Sequence, residues 1–528
     1  MAHAQSSLGA LLLDTREFSA AVVHLKASLQ LDARQPSVHY WLGNAWMGAG
    51  DADAAIKAYQ GAVRLDGNDV RARWGVVMAQ VPPVLSWGVT QQAGADAFLR
   101  ELAKLKAWLR AKNPPLAHRA VGAQQPYYLA YVAGNHRDAM REYGGLCVNL
   151  MSGWVRQVGV PKPVAAMRGR CKVGIVSSHV HDHSVWNAVV RGWVQHLDPA
   201  KFELHLFHTG SAEDEQTRWA AQRVAKLHRA VGEWPAWAKV ISDSRMDVLL
   251  YPEIGMDATT LRLASLRLAR RQFASWGHPI TTGLPTIDGY LSAAAFEPDD
   301  AQAHYTETLH PLPGIGCCYK AFGTRHASES LEGLGLSTKE PFFLCAGTPF
   351  KYSPAHDALW VEIAQRCAPC KLVFFHAKPD SLSSRLQDRL ERAFAESGLN
   401  FRASVLFLPW QNQSMFFSLL SHCRALLDSP GFSGFNTAMQ ALECGAPVVA
   451  WEGASMRSRF ASGILRQIGL DEWVAQDAAS YVDLAIRLCR DPAALASYRQ
   501  QLVAARSSVF DDSRSVHALG RLLLEESA

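Results

Sequence analysis

The chain has 528 residues, 48% of them hydrophobic and 19% charged, which excludes a disordered or fibrous protein and, at roughly 100 to 200 residues per domain, points to about three domains. Its 53 Lys and Arg residues stand against 48 Asp and Glu, a net charge of +5 spread along the sequence, and such a balance gives no argument for nucleic acid as a partner. No apolar run approaches the ~18 residues that span a bilayer; the start, MAHAQSSLGALLLDTREF, lacks a basic segment ahead of an apolar core, and ten scattered cysteines fit a reduced compartment, so a cytoplasmic protein is expected.

Residues 36 to 69 read as one 34-residue helix-turn-helix unit. Leu42, Gly43, Trp46, Ala55, Tyr59 and Ala62 fall where a tetratricopeptide repeat places its packing residues, and a shift back by one repeat gives Leu8, Gly9, Leu12, Ala21, Leu25 and Ser28. Small residues let two antiparallel helices approach while large ones fill the neighbouring groove. An all-α repeat region is therefore expected over residues 1–80, either as a peptide-binding surface or as a scaffold packed on the next domain. Residues 81–165 keep a helical pattern, interrupted at Pro114-Pro115, and read as a connector.

From Cys171 onward the texture changes. Short β-rich runs, KVGIVSS, FELHLFHTG, DVLLYPEIG and RQFASWGHP, alternate with helical stretches, the pattern of a parallel sheet with crossover helices. This predicts an α/β lobe over residues 166–330. A second series, FFLCAGT, KLVFFHA, VLFLP, RALLDSP and APVVAWEG, predicts another over residues 331–528. Two Rossmann-like lobes would hold a nucleotide between them, at the carboxyl ends of their strands.

The stretch Asp428-Ser-Pro-Gly-Phe-Ser-Gly-Phe-Asn-Thr-Ala-Met-Gln440 places a strand end, a loop with Gly431, Ser433 and Gly434, and a helix start near Asn436. Backbone N–H groups at a helix start, with Asn436 and Thr437 as added donors, suit a diphosphate. Asn and Thr also cap helices for structural reasons alone. The pair Cys367 and Cys370 has no second pair nearby and reads as two ordinary thiols. His179, His181, Asp182 and His183 could resemble metal ligands, but alternating positions at a strand end point to opposite faces, so no metal site is expected.

Strand, Asp-x-Pro, Gly-containing loop, polar pair, helix and Gly-x-Pro together resemble the donor-binding segment of the O-GlcNAc transferase family. Further segments are similar to that family's motifs and occur in order: Lys172–Ser178 with His183, Trp276-Gly-His-Pro-Ile-Thr-Thr-Gly283 with Ile287-Asp288, Ala303–Glu307 with Leu312-Pro-Gly314, and Lys351 ahead of Ser353-Pro354. The resemblance covers roughly residues 170–510. It implies an α/β GT-B fold behind tetratricopeptide repeats, an inverting transfer, a UDP-sugar donor and no metal or other cofactor. The Gly-His-Pro variant and Asn436, where the family has His or Thr, resemble the branch of bacterial cytoplasmic N-glycosyltransferases.

The resemblance also implies roles for single positions. Lys351 stands at the lysine that holds the donor pyrophosphate, and Ser433, Gly434, Asn436 and Thr437 at the diphosphate loop. Gln440 stands where the family places a ribose-binding aspartate, with Glu443 as another source of the carboxylate. Trp410 and Phe416 are the aromatic candidates for stacking on uracil, and Gln411 for the base edge. His183 stands at the histidine proposed as general base. His278, with Thr281 and Thr282, is expected to face the cleft toward phosphate or acceptor.

Three functional readings are open at this point. The first is a UDP-sugar-dependent transferase moving GlcNAc or glucose to a Ser, Thr or Asn side chain of an acceptor protein or peptide. The second is a non-catalytic repeat-based module that binds a nucleotide-sugar or a protein, and the third is a glycosyltransferase acting on a small-molecule or lipid-linked acceptor.

Overall fold

In the computed structural model, which describes residues 1–159, 169–323, 329–337 and 340–525, the chain begins with antiparallel helix pairs. Helices Ala2–Asp14 and Phe18–Leu31 form one pair, Pro36–Gly48 and Ala52–Leu65 the next, and Val70–Met78 comes after them. The expected repeat is visible in the closest approaches. A Cβ on Gly9 would lie 2.6 Å from Leu25, and one on Gly43, 34 positions later, 2.3 Å from Tyr59. Asp51 and Asp69 cap two of these helices by accepting backbone N–H groups.

The connector is helical as expected, with long helices Gln91–Lys112 and Arg137–Val158 and a short 3-10 turn, Tyr127–Tyr131, between them. Its expected boundary with the first lobe, at residue 165, falls outside the described residues. The repeats are docked rather than free. Ser381 donates to the Ala49 carbonyl at 2.7 Å, and Arg385 pairs with Asp51 at 3.2 Å.

The first lobe carries seven strands: β1 Cys171–Ser177, β2 Phe202–His208, β3 Lys226–His228, β4 Val248–Tyr251, β5 Arg271–Ser275, β6 Gly289–Ala293 and β7 Thr308–Leu312. Their order is β3-β2-β1-β4-β5-β6-β7, all pairs parallel. The second lobe carries β8 Phe342–Leu344, β9 Lys371–Phe375, β10 Val405–Leu408, β11 Leu426–Leu427, β12 Val448–Trp451 and β13 Val474–Ala475. Their order is β10-β9-β8-β11-β12-β13, again all parallel. Central strands such as β4 are buried throughout, which is why they read as unbroken apolar runs.

The last helix, Arg514–Glu525, departs from the expected division at residue 331. It packs against the first lobe: Gly520 lies near Phe202 and Leu197, and Arg271 donates to the Leu523 carbonyl at 2.6 Å. Among the described residues no helix is long and apolar enough to cross a membrane.

Candidate functional site

In each sheet the chain runs outward from the first strand to one edge and then returns to build the other side. The reversals lie between β1 and β4 and between β8 and β11, and a crevice opens beyond the carboxyl ends at such points. Two adjoining cavities occupy the space between the lobes, an inner one of about 260 Å³ and an outer one of about 530 Å³. They share Ser184, Thr348, Lys351, Asn436 and Thr437.

Lys351 sits at this junction, on the turn after β8. Its Nζ donates to the Ser433 carbonyl at 3.2 Å and lies 4.9 Å from the centre of the Phe432 ring. Burial lowers its pKa to about 8, against the opposing pull of Asp428. Asp428, at the end of β11, is itself pushed upward by burial. Its Oδ1 accepts the Gly434 N–H at 2.8 Å, which fixes the loop leading into helix Phe435–Cys444. Asn436, Thr437 and Gln440 are half-buried on the first turn and a half of that helix, on one side of it, and all three line the outer cavity.

The rest of the outer cavity comes from the segments after β8, β9 and β10, from Phe322, and from Asp182, His183, Ser184 and Asn187 of the first lobe. Trp410 is 75% exposed on its rim, Gln411 donates to the Pro409 carbonyl at 2.7 Å, and Phe416 packs edge-on to Phe375. Ser433, Gly434 and His278 line the inner cavity, and His183 lines the outer. Of the fourteen residues given site roles, eleven thus border one or both cavities, and Thr281, Thr282 and Glu443 border neither.

The histidines differ from expectation in detail. His179, His181 and His183 do not point to opposite faces. The loop after β1 turns their rings into a near-parallel stack, with centroids 3.7 Å apart for His179 and His183 and 5.6 to 5.7 Å for the other pairs. Lone pairs in parallel ring planes do not converge on one ion, and among the described residues no group of three His, Cys, Asp or Glu side chains is arranged to hold a metal. Burial, then His179 and His181, lowers the pKa of His183 to about 4. Val185 donates its backbone N–H to His183 Nδ1 at 3.2 Å. That bond assigns the lone pair to Nδ1 and the ring hydrogen to Nε2, so the neutral ring presents a donor. His278 is neutral as well, its pKa lowered to about 4 by burial and then by Arg457.

Two expectations are corrected. Thr281 and Thr282 do not face the cleft toward a phosphate; both hydroxyls donate to the buried Glu307 carboxylate, Thr281 at 2.6 Å. Glu443 does not offer its carboxylate to a ribose, because that group accepts the Phe322 and Gly323 N–H groups at 3.0 and 2.8 Å. Gln440 remains the cavity-lining side chain of the pair.

Sequence reasoning also missed residues. Tyr127 and Tyr131 of the connector line the inner cavity, as do Phe350 and Phe432. Phe350 and Phe432 adjoin Lys351 and Ser433, so proximity to the predicted loop was the available signal. Glu253, fully buried at the end of β4, accepts the Ser178 N–H at 2.7 Å, and burial raises its pKa to about 8.

Two parallel sheets with this strand order, facing each other across paired cavities, define a GT-B-type glycosyltransferase fold. Residues 350–519 match the family model for glycosyl transferase family 41. Among curated proteins the chain is 25% identical over 343 residues to a probable UDP-N-acetylglucosamine–peptide N-acetylglucosaminyltransferase, SPINDLY, of Arabidopsis thaliana, covering 62% of this chain and 36% of that protein. It is also 25% identical over 319 residues to a UDP-glucose:protein N-beta-glucosyltransferase of Actinobacillus pleuropneumoniae, covering 59% of this chain and 49% of that one. The chain therefore spans between a third and a half of the length of these relatives. A solved Thermobaculum terrenum O-GlcNAc transferase superposes with a TM-score of 0.72 at 20% identity, covering 100% of this chain and 98% of that one. These matches bear out the resemblance read from the motifs and the GT-B fold behind helical repeats.

Proposed function

We propose that the chain transfers a sugar from UDP to a side chain of a protein or peptide acceptor, inverting the anomeric carbon and using no metal ion. The observation that carries this reading is the convergence of Lys351, the Ser433–Thr437 segment and Gln440 on cavities at the switch point of the second sheet. The names of the relatives support the donor and acceptor classes. None of the ten cysteines, all of them among the described residues, forms a disulfide, which fits a reduced compartment, and we place the activity in the cytoplasm.

In the reaction an acceptor atom attacks C1 of the sugar as the bond from C1 to the β-phosphate oxygen breaks, and UDP leaves with the electron pair. Lys351 offsets the charge growing on the diphosphate, with Asn436 and Thr437 as neutral donors beside it. His183, with its ring hydrogen on Nε2, acts as a hydrogen-bond donor. The acceptor proton therefore passes to a donor phosphate oxygen rather than to this imidazole. Gln440 takes the ribose, while Trp410, Gln411 and Phe416 take the base.

The test is incubation with UDP-glucose or UDP-GlcNAc, radiolabelled in the sugar, together with acceptor polypeptides bearing Ser, Thr or Asn. Label in precipitated protein supports the reading and identifies sugar and acceptor atom. UDP release without protein label directs attention to small-molecule acceptors, and the absence of both contradicts an enzymatic role.

A further inference from the structure

The connector turn Tyr127–Tyr131 lies outside both sheets yet reaches the inner cavity. Tyr127 lies flat on His278 of the first lobe, ring centres 4.7 Å apart at 13°. Tyr131 lies flat on Phe432 of the second lobe, 4.1 Å apart at 19°. The two phenol oxygens are 3.1 Å from each other, and Phe350, the neighbour of Lys351, meets Tyr131 edge-on at 4.7 Å. One turn of the connector thus bridges the lobes beside the diphosphate loop, and both tyrosines are half-buried residues that line the inner cavity.

The chemistry of this wall is specific. Among the described residues lining the inner cavity, Lys351 is the one that carries a charge, and its ammonium is engaged with the Ser433 carbonyl. A uronic acid would need a further cation there and an amino sugar a carboxylate, since an unpaired charge is costly to bury. Aromatic faces accommodate the C–H face of a pyranose, and paired phenols can donate to and accept from its hydroxyls. Burial raises the pKa of both phenols, so they stay neutral donors.

We infer that Tyr127 and Tyr131 hold the transferred sugar against the leaving diphosphate and restrict it to an uncharged pyranose. The inference rests on the donor reading above, and its test separates the two. Calorimetric UDP affinity is measured for the wild-type chain and for Tyr127→Ala, Tyr131→Ala, Tyr127→Phe and Tyr131→Phe. UDP release from UDP-glucose, UDP-GlcNAc and UDP-glucuronate is measured alongside. The alanine variants should bind UDP within about twofold of wild type, yet lose about tenfold or more in kcat/KM for both neutral donors. The phenylalanine variants, which keep the stacked rings, should lose about threefold through the missing hydroxyl and decide the matter if an alanine variant does not fold. UDP-glucuronate should not be turned over. Absence of UDP binding by the wild-type chain would overturn the donor reading and this inference together. Retained UDP binding with wild-type turnover of neutral donors by every variant, or turnover of UDP-glucuronate comparable to UDP-glucose, would overturn this inference alone.

Discussion

The two lobes share a strand order and differ in what stands at its turning point. In the first, the crevice between β1 and β4 is closed by the chain itself: Glu253 is buried there against the Ser178 N–H, and His183 and His278 are neutral. In the second, the crevice between β8 and β11 stays open, with Lys351 beside a loop that Asp428 fixes through Gly434. Topology offers both sites, and the charge placed at each decides which one receives an anion. On the proposed function the second lobe would take the donor, and the first would turn its neutral His183 and His278 toward the acceptor.

The largest break in this comparison should come from removing the cation. Lys351→Ala is expected to lower kcat by about 10² to 10³, the usual cost of losing one donor to developing charge, as measured by UDP release from UDP-glucose. Next comes Asp428→Ala, which frees the loop that carries Ser433 and Gly434. It should weaken UDP binding about tenfold while the first lobe's fold is untouched, with affinity read by calorimetry and folding by circular dichroism.

The pH dependence sharpens the contrast. A bound diphosphate raises the Lys351 pKa from about 8, so the complex holds a proton that the free protein has lost above that value. UDP affinity should be level below pH 8 and fall as pH rises through it, by at most about tenfold per unit. His183 and His278, with pKa values lowered to about 4, should add no inflection to kcat/KM between about pH 5.5 and 7.5. An inflection near 6.5 that disappears in His183→Gln would return the general-base role to that residue.

The smallest effect belongs to the first lobe. The folded-state pKa of Glu253 is raised to about 8, well above an ordinary carboxyl at roughly 4.3. Between those values the native state binds more protons than the unfolded one, so the stability it contributes is complete below the lower value and lost as pH rises toward 8. Glu253→Gln removes the dependence. Its Tm should gain on the wild type by a few degrees between about pH 5 and 8, while UDP affinity at pH 7 stays the same.

Much of this architecture was legible in the sequence because parallel strands buried on both faces announce themselves as apolar runs. The strands that escaped lack that signal. β3 spans three residues, begins with the exposed Lys226 and lies at an edge, and β13 spans two. β7 contains Pro311, which an edge strand tolerates, and β6 opens on Gly289. The residues expected at the donor were legible because they fall in three short stretches, Lys351, Trp410–Phe416 and Ser433–Gln440, each following a predicted strand. Tyr127 and Tyr131 were not, since they reach the cavity from a connector with no sequence proximity to it. Nor was the engagement of Glu443, whose partners are backbone groups more than a hundred residues away.

The most direct test of the central claim is calorimetric titration of UDP and GDP into the wild-type chain and Lys351→Ala at pH 7 without divalent metal. UDP binding that is selective over GDP and lost in the variant is the predicted result. Equal UDP affinity in the two proteins, or none in either, would contradict the assignment of the donor site to the second lobe.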